Sequence, residues 1–199
     1  MIGFFGGSFD PIHYGHLKNA AQLKIELGLS TLFLMPCAKP VHKDQLNFST
    51  DQRMNMLQLA IKEFDTLAID TREIERDGVS YTIDSLKQIK SNYQNHAICL
   101  VIGMDSFNHL SSWKDAQDFH QYCHLVVINR PNISIARQDY GFKLVDTINN
   151  LDDQKTGLLY FSKTQMLDIS SSTIRGKIRC QRNLSGLLPE SVITYIKTL

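Results

Sequence analysis

The chain has 199 residues and a formal net charge of +1, enough length for one α/β domain with a sizeable core. Hydrophobic residues make up 43% and charged residues 21%, an ordinary globular balance that offers no basic surface for bulk attraction to nucleic acid or membrane. No apolar run approaches the roughly 20 residues of a membrane span, and no basic segment precedes the first apolar stretch, so no signal peptide is expected.

The chain opens with Ile2-Gly3-Phe4-Phe5, a short apolar run that predicts a buried parallel strand. Gly6-Gly7 ends it and lets the backbone approach a ligand, because neither residue has a Cβ. Asp10-Pro11 predicts a turn. His13 and His16 follow as His-x-Gly-His, and a helical pattern starts near Gly15 and runs through Leu17, Ala20, Ala21, Leu23 and Leu27. A strand, a glycine turn and a helix start aim backbone N–H groups and the positive helix end at an anion, most often a phosphate. If both histidines lie on the first helical turn, they face the same way. Imidazoles beside a phosphate cradle can donate hydrogen bonds to phosphate oxygens and stabilise charge that develops in nucleotidyl transfer. The bland alternative makes one histidine a cap and the other a surface residue, which suits a lone histidine better than two framing a glycine. Zinc needs more ligands than these two. The loop also lacks the spacings of a P-loop or a Gly-x-Gly-x-x-Gly turn.

GGSFDPIHYGH resembles the signature of the nucleotidylyltransferases with a His-x-Gly-His motif. Within them it is most similar to the bacterial nicotinate (nicotinamide) mononucleotide adenylyltransferases, and the resemblance covers almost the whole chain. It implies an enzyme that joins ATP to a mononucleotide, giving a dinucleotide and pyrophosphate. It also implies that Gly6, Gly7, Ser8, Phe9, His13 and His16 meet ATP.

Residues 31–35 read as a second strand, ended by Pro36. The loop that follows carries Lys39, His42 and Lys43. It is either a solvated surface loop or a contact for ATP phosphates, since strand two of a doubly wound sheet delivers its loop to the same edge as strand one. The family places a basic loop here. Ser49 or Thr50 can cap the next helix, with Met54, Leu57, Ala60, Ile61 and Phe64 as its apolar face. Arg53 falls opposite some of these and receives no role. Leu67-Ala68-Ile69 reads as a strand, Glu73-Ile74-Glu75 as a short extended piece and Asp77-Gly78 as a turn.

Residues 80–86 start a helix whose hydroxyls are good N-caps. The resemblance places Tyr81 and Thr82 at the pyridine end of the mononucleotide, where the helix N-terminus can hold a carboxylate. Residues 96–102 form the clearest buried strand, with Gly103 and Asp105 at its C-terminal end. Asp105 either binds a ribose hydroxyl or caps a helix beginning near Ser106, and the resemblance favours the ligand role. Trp113 and Lys114 lie in a polar turn leading into a helix. A lone Trp is more often core, but the family stacks an aromatic here on the pyridine ring. Residues 124–128 are the next strand, and Arg130 emerges at the same edge, able to clamp a phosphate.

Residues from about 132 to 157 read as a peripheral helix plus loops, and 158–161 as the last long strand. The run from Ile169 through Ser170, Ser171, Ser172, Thr173 and Ile174 to Arg175 then opens a helix that includes Ile178. Its hydroxyls exceed the needs of a cap and, with Arg175, make a second phosphate cradle. The run resembles the family's Ile-Ser-Ser-Thr-x-Ile-Arg, with Ser172 where Thr is usual. A closing helix carries Val192, Ile193 and Ile196.

The expected fold is α/β: a doubly wound, mostly parallel Rossmann-like sheet of about five or six strands flanked by helices, with the active site at the strands' C-terminal edge. One domain is expected over 1–199, its helical part from about 170 carrying the second phosphate motif. An anionic attacking phosphate needs no protein nucleophile, so catalysis is positioning and charge stabilisation. The proposed stabilisers are His13, His16, Lys43 and Arg175; Lys39, His42, Ser171 and Ser172 also face ATP. Tyr81, Thr82, Gly103, Asp105, Trp113, Lys114 and Arg130 face the mononucleotide, which is expected to be nicotinate mononucleotide. Mg²⁺ is expected on substrate phosphates and waters rather than in a protein cage. A sister transferase acting on phosphopantetheine or a small alcohol phosphate is the first alternative, disfavoured by Trp113 and the turn at 80–82. A non-catalytic nucleotide-binding regulator is the second, disfavoured by the intact His-x-Gly-His. No nucleic-acid or membrane partner is expected, and the oligomeric state stays open. Cys37, Cys99, Cys123 and Cys180 are too far apart for a metal spacing or disulfide framework. They fit a reducing cytoplasm, with Cys99 and Cys123 as small buried residues.

Overall fold

The computed structural model describes residues 1–39, 46–76, 78–128, 139–151, 154–164, 167 and 169–199. In chain order its elements are β1 (Ile2–Gly7), α1 (Tyr14–Glu26), β2 (Thr31–Pro36), α2 (Thr50–Ala60), β3 (Leu67–Ile69), α3 (Arg72–Glu75) and α4 (Thr82–Asn92). Then come β4 (Ile98–Gly103), α5 (Met104–Asn108), β5 (His124–Ile128), β6 (Lys143–Val145), β7 (Leu158–Ser162), α6 (Ser171–Arg179) and α7 (Glu190–Ile196). Short 3₁₀ turns lie at Leu110–Ser112 and Ala116–Gln121 among others.

The strands form one seven-stranded sheet in the order β3-β2-β1-β4-β5-β7-β6, and every neighbouring pair is parallel. Chain order reverses between β1 and β4. Such a switch point opens a crevice outside the strands' carboxyl ends, here between Gly6-Gly7 and Gly103.

Alternation along the central strands divides the core into two layers. Phe5, Val101, Val126 and Ile128 pack with Leu17 and Leu23 of α1, Leu57 of α2 and Val192 of α7. Phe4, Leu100, Ile102 and Val127 pack with Ile83, Leu86 and Ile89 of α4 and with Phe107 and Phe119. Leucine side chains fill the space beside Gly3: a Cβ there would sit 2.5 Å from Leu32 Cδ1 and 2.6 Å from Leu29 Cδ1. Cys99 and Cys123 are buried, and no disulfide forms among the described residues. Among those residues no helix is long and apolar enough to cross a membrane.

Several local expectations are corrected. The sheet has seven strands rather than five or six. The extra one, β6, comes from the polar stretch read as helix and loops; it is an edge strand with Lys143 and Leu144 exposed, so it lacks an alternating signature. Glu73-Ile74-Glu75 is the helical turn α3, started after Asp70 accepts from the Arg72 backbone N–H at 3.1 Å. Ser49 makes a full capping box with Gln52 at α2, but the hydroxyls before α4 supply no side-chain cap, and its N-cap is Tyr81. Asp105 lies inside the first turn of α5, whose N-cap is Gly103, so Asp105 does not cap. Arg53 shares the buried face of α2 with Met56, Leu57 and Ala60, at helical spacing, and does not point away from it.

Candidate active site

β1 delivers Gly6, Gly7 and Ser8 to the crevice. Phe9 then turns in the left-handed region (φ 45°) and its ring is buried, edge-on to His16 at a centroid distance of 5.1 Å. Its side chain is thus a packing element under the loop. His13 is the N-cap of α1 and His16 lies in the first turn. Their rings stack with centroids 3.7 Å apart. The glycine between them has a steric cause: a Cβ on Gly15 would sit 2.8 Å from His13 Nδ1 and 3.1 Å from the Ile169 carbonyl oxygen. His13 is 2% exposed, and burial pushes its pKa down to about 4, so it is neutral at pH 7.

The second cradle docks directly on the first. Ser171 Oγ donates to the Pro11 carbonyl at 3.1 Å, and Arg175 Nη1 donates to the Asp10 carbonyl at 2.8 Å. The Asp10 carboxylate lies 3.6 Å from Arg175 Nη1 and also accepts from the backbone N–H groups of Asn47 (3.0 Å) and Phe48 (2.9 Å). Ser170, not Ser171, caps α6, accepting from Thr173 N. Ser172 Oγ accepts from Arg175 Nη2 at 3.0 Å. Motifs far apart in sequence are therefore in contact, and the fork of Arg175 is engaged by Asp10 and Ser172.

Beside Gly6-Gly7-Ser8 opens a cavity of about 620 Å³. Its walls include Tyr81 and Thr82 at the start of α4, Asp105 in α5, and Trp113 and Lys114 after the 3₁₀ turn. Lys114 Nζ sits 4.6 Å from the centre of the Tyr81 ring, so the two predicted pyridine-binding turns touch. Trp113 is half-buried; it makes a T-shaped contact with Phe119, ring centroids 6.3 Å apart, and also lines the cavity. Gly103 does not line the cavity but caps α5. His13, His16 and Arg175 are also absent from its lining. Lys39 is exposed at the end of the β2 loop. His42, Lys43 and Arg130 lie outside the described residues.

Four residues near the crevice escaped the sequence reading. Asp10 was visible only as a turn former, yet it joins α6 to the residues before α2. Arg53 is buried at 1% exposure and holds carbonyls of Ser8, Cys37 and Ala38. An Arg inside an otherwise apolar helical stripe was the signal that marked it. Glu73 lines the cavity, and Ser85 Oγ donates to it at 2.7 Å. Burial raises the Glu73 pKa above the ordinary carboxylate value, against the opposing effect of that hydrogen bond and of Arg76. Ser80 lines the same cavity, and its hydroxyl accepts from Ala38 N at 3.2 Å rather than capping α4.

Residues 4–177 match the cytidylyltransferase-like family model. A protein of Vesicomyosocius okutanii named "Probable nicotinate-nucleotide adenylyltransferase" is 67% identical over all of this chain and 95% of its own length. A protein of the same name from Psychromonas ingrahamii is 39% identical over 98% of this chain and 94% of its own length. Among solved structures, a nicotinic acid mononucleotide adenylyltransferase of Plasmodium falciparum, complexed with NaAD, shares the fold. Its TM-score is 0.76 at 19% identity, covering 99% of this chain and 94% of that one.

Proposed function

This chain belongs to the nicotinate-nucleotide adenylyltransferase family within the cytidylyltransferase-like proteins, and from that premise we propose that it transfers the adenylyl group of ATP to nicotinate mononucleotide. The products are deamido-NAD and pyrophosphate, a step of NAD biosynthesis, and we place the reaction in the cytoplasm. The observation that carries the reading is the junction of two unlike sites at the sheet's switch point. One is an anion cradle built from the His-x-Gly-His turn and α6. The other is an adjoining cavity walled by Tyr81, Trp113 and helix-start backbone.

In the proposed mechanism the mononucleotide phosphate attacks the α-phosphorus of ATP in line, the bond to the β-phosphate oxygen breaks, and pyrophosphate leaves. The attacking oxygen is already anionic, so the protein supplies position and charge stabilisation. Gly6, Gly7 and Ser8 let backbone N–H groups approach the phosphates. His16, held edge-on by Phe9 and face-on by His13, is aligned before substrate arrives. It donates to the α-phosphate oxygens, and neutral His13 backs it. Arg175, steered by Asp10, neutralises the β- and γ-phosphates together with Lys39, His42 and Lys43. Trp113 and Tyr81 hold the pyridine ring; Asp105 takes a ribose hydroxyl and Arg130 the acceptor phosphate.

Among the described residues no three His, Cys, Asp or Glu side chains converge as a metal cage. We propose that Mg²⁺ enters on the ATP phosphates, where it would offset phosphate charge, and no step above runs through it.

The test is pyrophosphate release with ATP and a panel of acceptors. Nicotinate mononucleotide should give the highest kcat/KM, and phosphopantetheine and small alcohol phosphates should give none. Turnover with one of those instead would reassign the cavity, and no turnover with any acceptor would favour a regulator.

A further inference from the structure

Arg53 is 1% exposed, and it is among the largest fully buried side chains of the molecule. Its guanidinium donates hydrogen bonds to neutral groups, while the Asp10 carboxylate attracts its charge. Nη1 donates to the Ser8 and Cys37 carbonyls, each at 2.8 Å. Nη2 donates to the Ala38 carbonyl at 3.1 Å and to Thr50 Oγ1 at 3.3 Å. Nε is buried without a hydrogen-bond partner among the described residues. Desolvation outweighs the attraction of Asp10, and a buried cation hydrogen-bonded to neutral acceptors with one donor unused is a poor way to stabilise a fold, since an apolar side chain of similar volume avoids the desolvation cost. The retained charge and fork therefore serve placement.

What they place is the crevice wall. Ser8 is the exit of β1 and Cys37-Ala38 the exit of β2. Both exits line the cavity through Ser8 and Cys37. Between them runs one backbone hydrogen bond, Cys37 N to the Gly7 carbonyl at 3.0 Å. The planar fork of Arg53 spans the two exits from behind, which a single-point ammonium cannot do. With these carbonyls turned back onto Arg53, the peptide groups of the same turns are fixed in orientation. The cation also lies on the protein side of a turn that receives a triphosphate. Ala38 extends the linkage, because its N–H donates to Ser80 Oγ ahead of Tyr81 and Thr82.

We infer that Arg53 is a positioning residue for the nucleotide site: its fork sets the spacing of the β1 and β2 exits and orients the Ser8 turn toward the ATP phosphates. The inference rests on the adenylyltransferase reading for ATP as the nucleotide and for the identity of the acceptor.

The test compares wild type, Arg53→Lys, Arg53→Met and Arg53→Ala in the full chain. ATP binding is measured by calorimetry, turnover by pyrophosphate release, and folding by circular dichroism at the assay temperature. Folded Arg53→Met should lose about 10²-fold in kcat, the scale of a misplacement of roughly an ångström. It should bind ATP at least about 10-fold more weakly, one decade in equilibrium constant. Its KM for the mononucleotide should change far less. Arg53→Lys should stay well below wild type despite its charge, and guanidinium ion added to Arg53→Ala should restore part of the lost turnover where sodium ion does not. Wild-type ATP affinity in folded Arg53→Met or Arg53→Lys overturns the inference, as does a loss that follows only the unfolded fraction and resists guanidinium. A wrong acceptor shows differently, as wild-type protein that binds ATP but does not adenylylate nicotinate mononucleotide.

Discussion

The imidazole rings of His13 and His16 stack with their planes inclined by 27°, and Phe9 meets His16 edge-on at 80°. His16 is thereby fixed on both sides before any nucleotide binds. A preorganised donor acts on the transition state at no cost of reorientation, and removing one lowers kcat by on the order of 10²–10³. His16→Ala should show that loss with a much smaller change in ATP affinity. Near-normal turnover in this variant would return His16 to a packing role.

His13 yields a pH prediction. Burial lowers its pKa from 6.5 to about 4, so between those values the unfolded chain binds the proton more readily than the native one. Stability therefore rises with pH through that window; it is complete above about 6.5 and is lost as pH falls toward 4. At 1.36 kcal/mol per pH unit the full effect is about 3 kcal/mol. His13→Gln lacks the titrating group, so its urea midpoint should fall less than that of wild type between neutral pH and pH 4–5. Parallel pH dependence in the two proteins would mean that His13 is not held neutral by the fold.

Arg175 should tolerate no replacement by lysine. Its Nη1 donates to the Asp10 carbonyl while Nη2 donates to Ser172 Oγ, and an ammonium cannot make both contacts and still face a phosphate. Arg175→Lys should lower kcat/KM for ATP by at least tenfold, about 1.4 kcal/mol. Asp10→Ala should cost more in stability, because it strands the backbone donors of Asn47 and Phe48 that the carboxylate now accepts. Each buried unpaired donor costs about 1–3 kcal/mol. Thermal melts and ATP kinetics on both variants check this, and wild-type kinetics in Arg175→Lys would remove Arg175 from the phosphate site.

Why some of this was readable and some was not follows from where each signal resides. β1, β4 and β5 are buried on both faces, so their side chains form unbroken apolar runs visible in the chain itself. The His-x-Gly-His turn and the hydroxyl run before Arg175 are local too, each compressed into a few residues around a helix start. β6 is only three residues long, with Lys143 and Leu144 exposed, and it pairs in parallel with β7. Arg53 and Asp10 depend on partners at 8, 37, 38, 47, 48 and 175. The apolar stripe around Arg53 marks it as buried, but nothing near either residue in sequence names these partners. Ser80 shows the same limit: its hydroxyl suits a cap, but the amide of Ala38 claims it.

The choice between acceptors depends on what surrounds the pyridine substituent. Nicotinate presents a carboxylate there and nicotinamide a neutral amide. The N-terminus of α4, from Thr82, offers backbone N–H groups with no side-chain cap to occupy them, and its positive end favours an anion. Lys114 adds a cation across the cavity, its Nζ 4.6 Å from the Tyr81 ring centre. Carboxylates oppose them: Asp84 in the first turn of α4, Asp105 in the cavity wall, and Glu73, which lines the same cavity. The opposition of Glu73 is blunted, since burial raises its pKa and so disfavours its charged form, while Ser85 Oγ holds it at 2.7 Å. An amide would turn its NH₂ toward N–H donors or leave one unpaired, at about 1–3 kcal/mol per buried donor. For one or two donors this amounts to roughly 10- to 10³-fold in kcat/KM at 1.4 kcal/mol per decade. The enzyme should prefer nicotinate mononucleotide by that factor, and Lys114→Gln should narrow the margin by weakening nicotinate use while leaving the nicotinamide form nearly unchanged. Glu73→Gln should not reverse the preference. A coupled assay with both acceptors decides the matter, and equal kcat/KM values, or a preference for nicotinamide mononucleotide, would place the carboxylate pocket somewhere other than the α4 N-terminus.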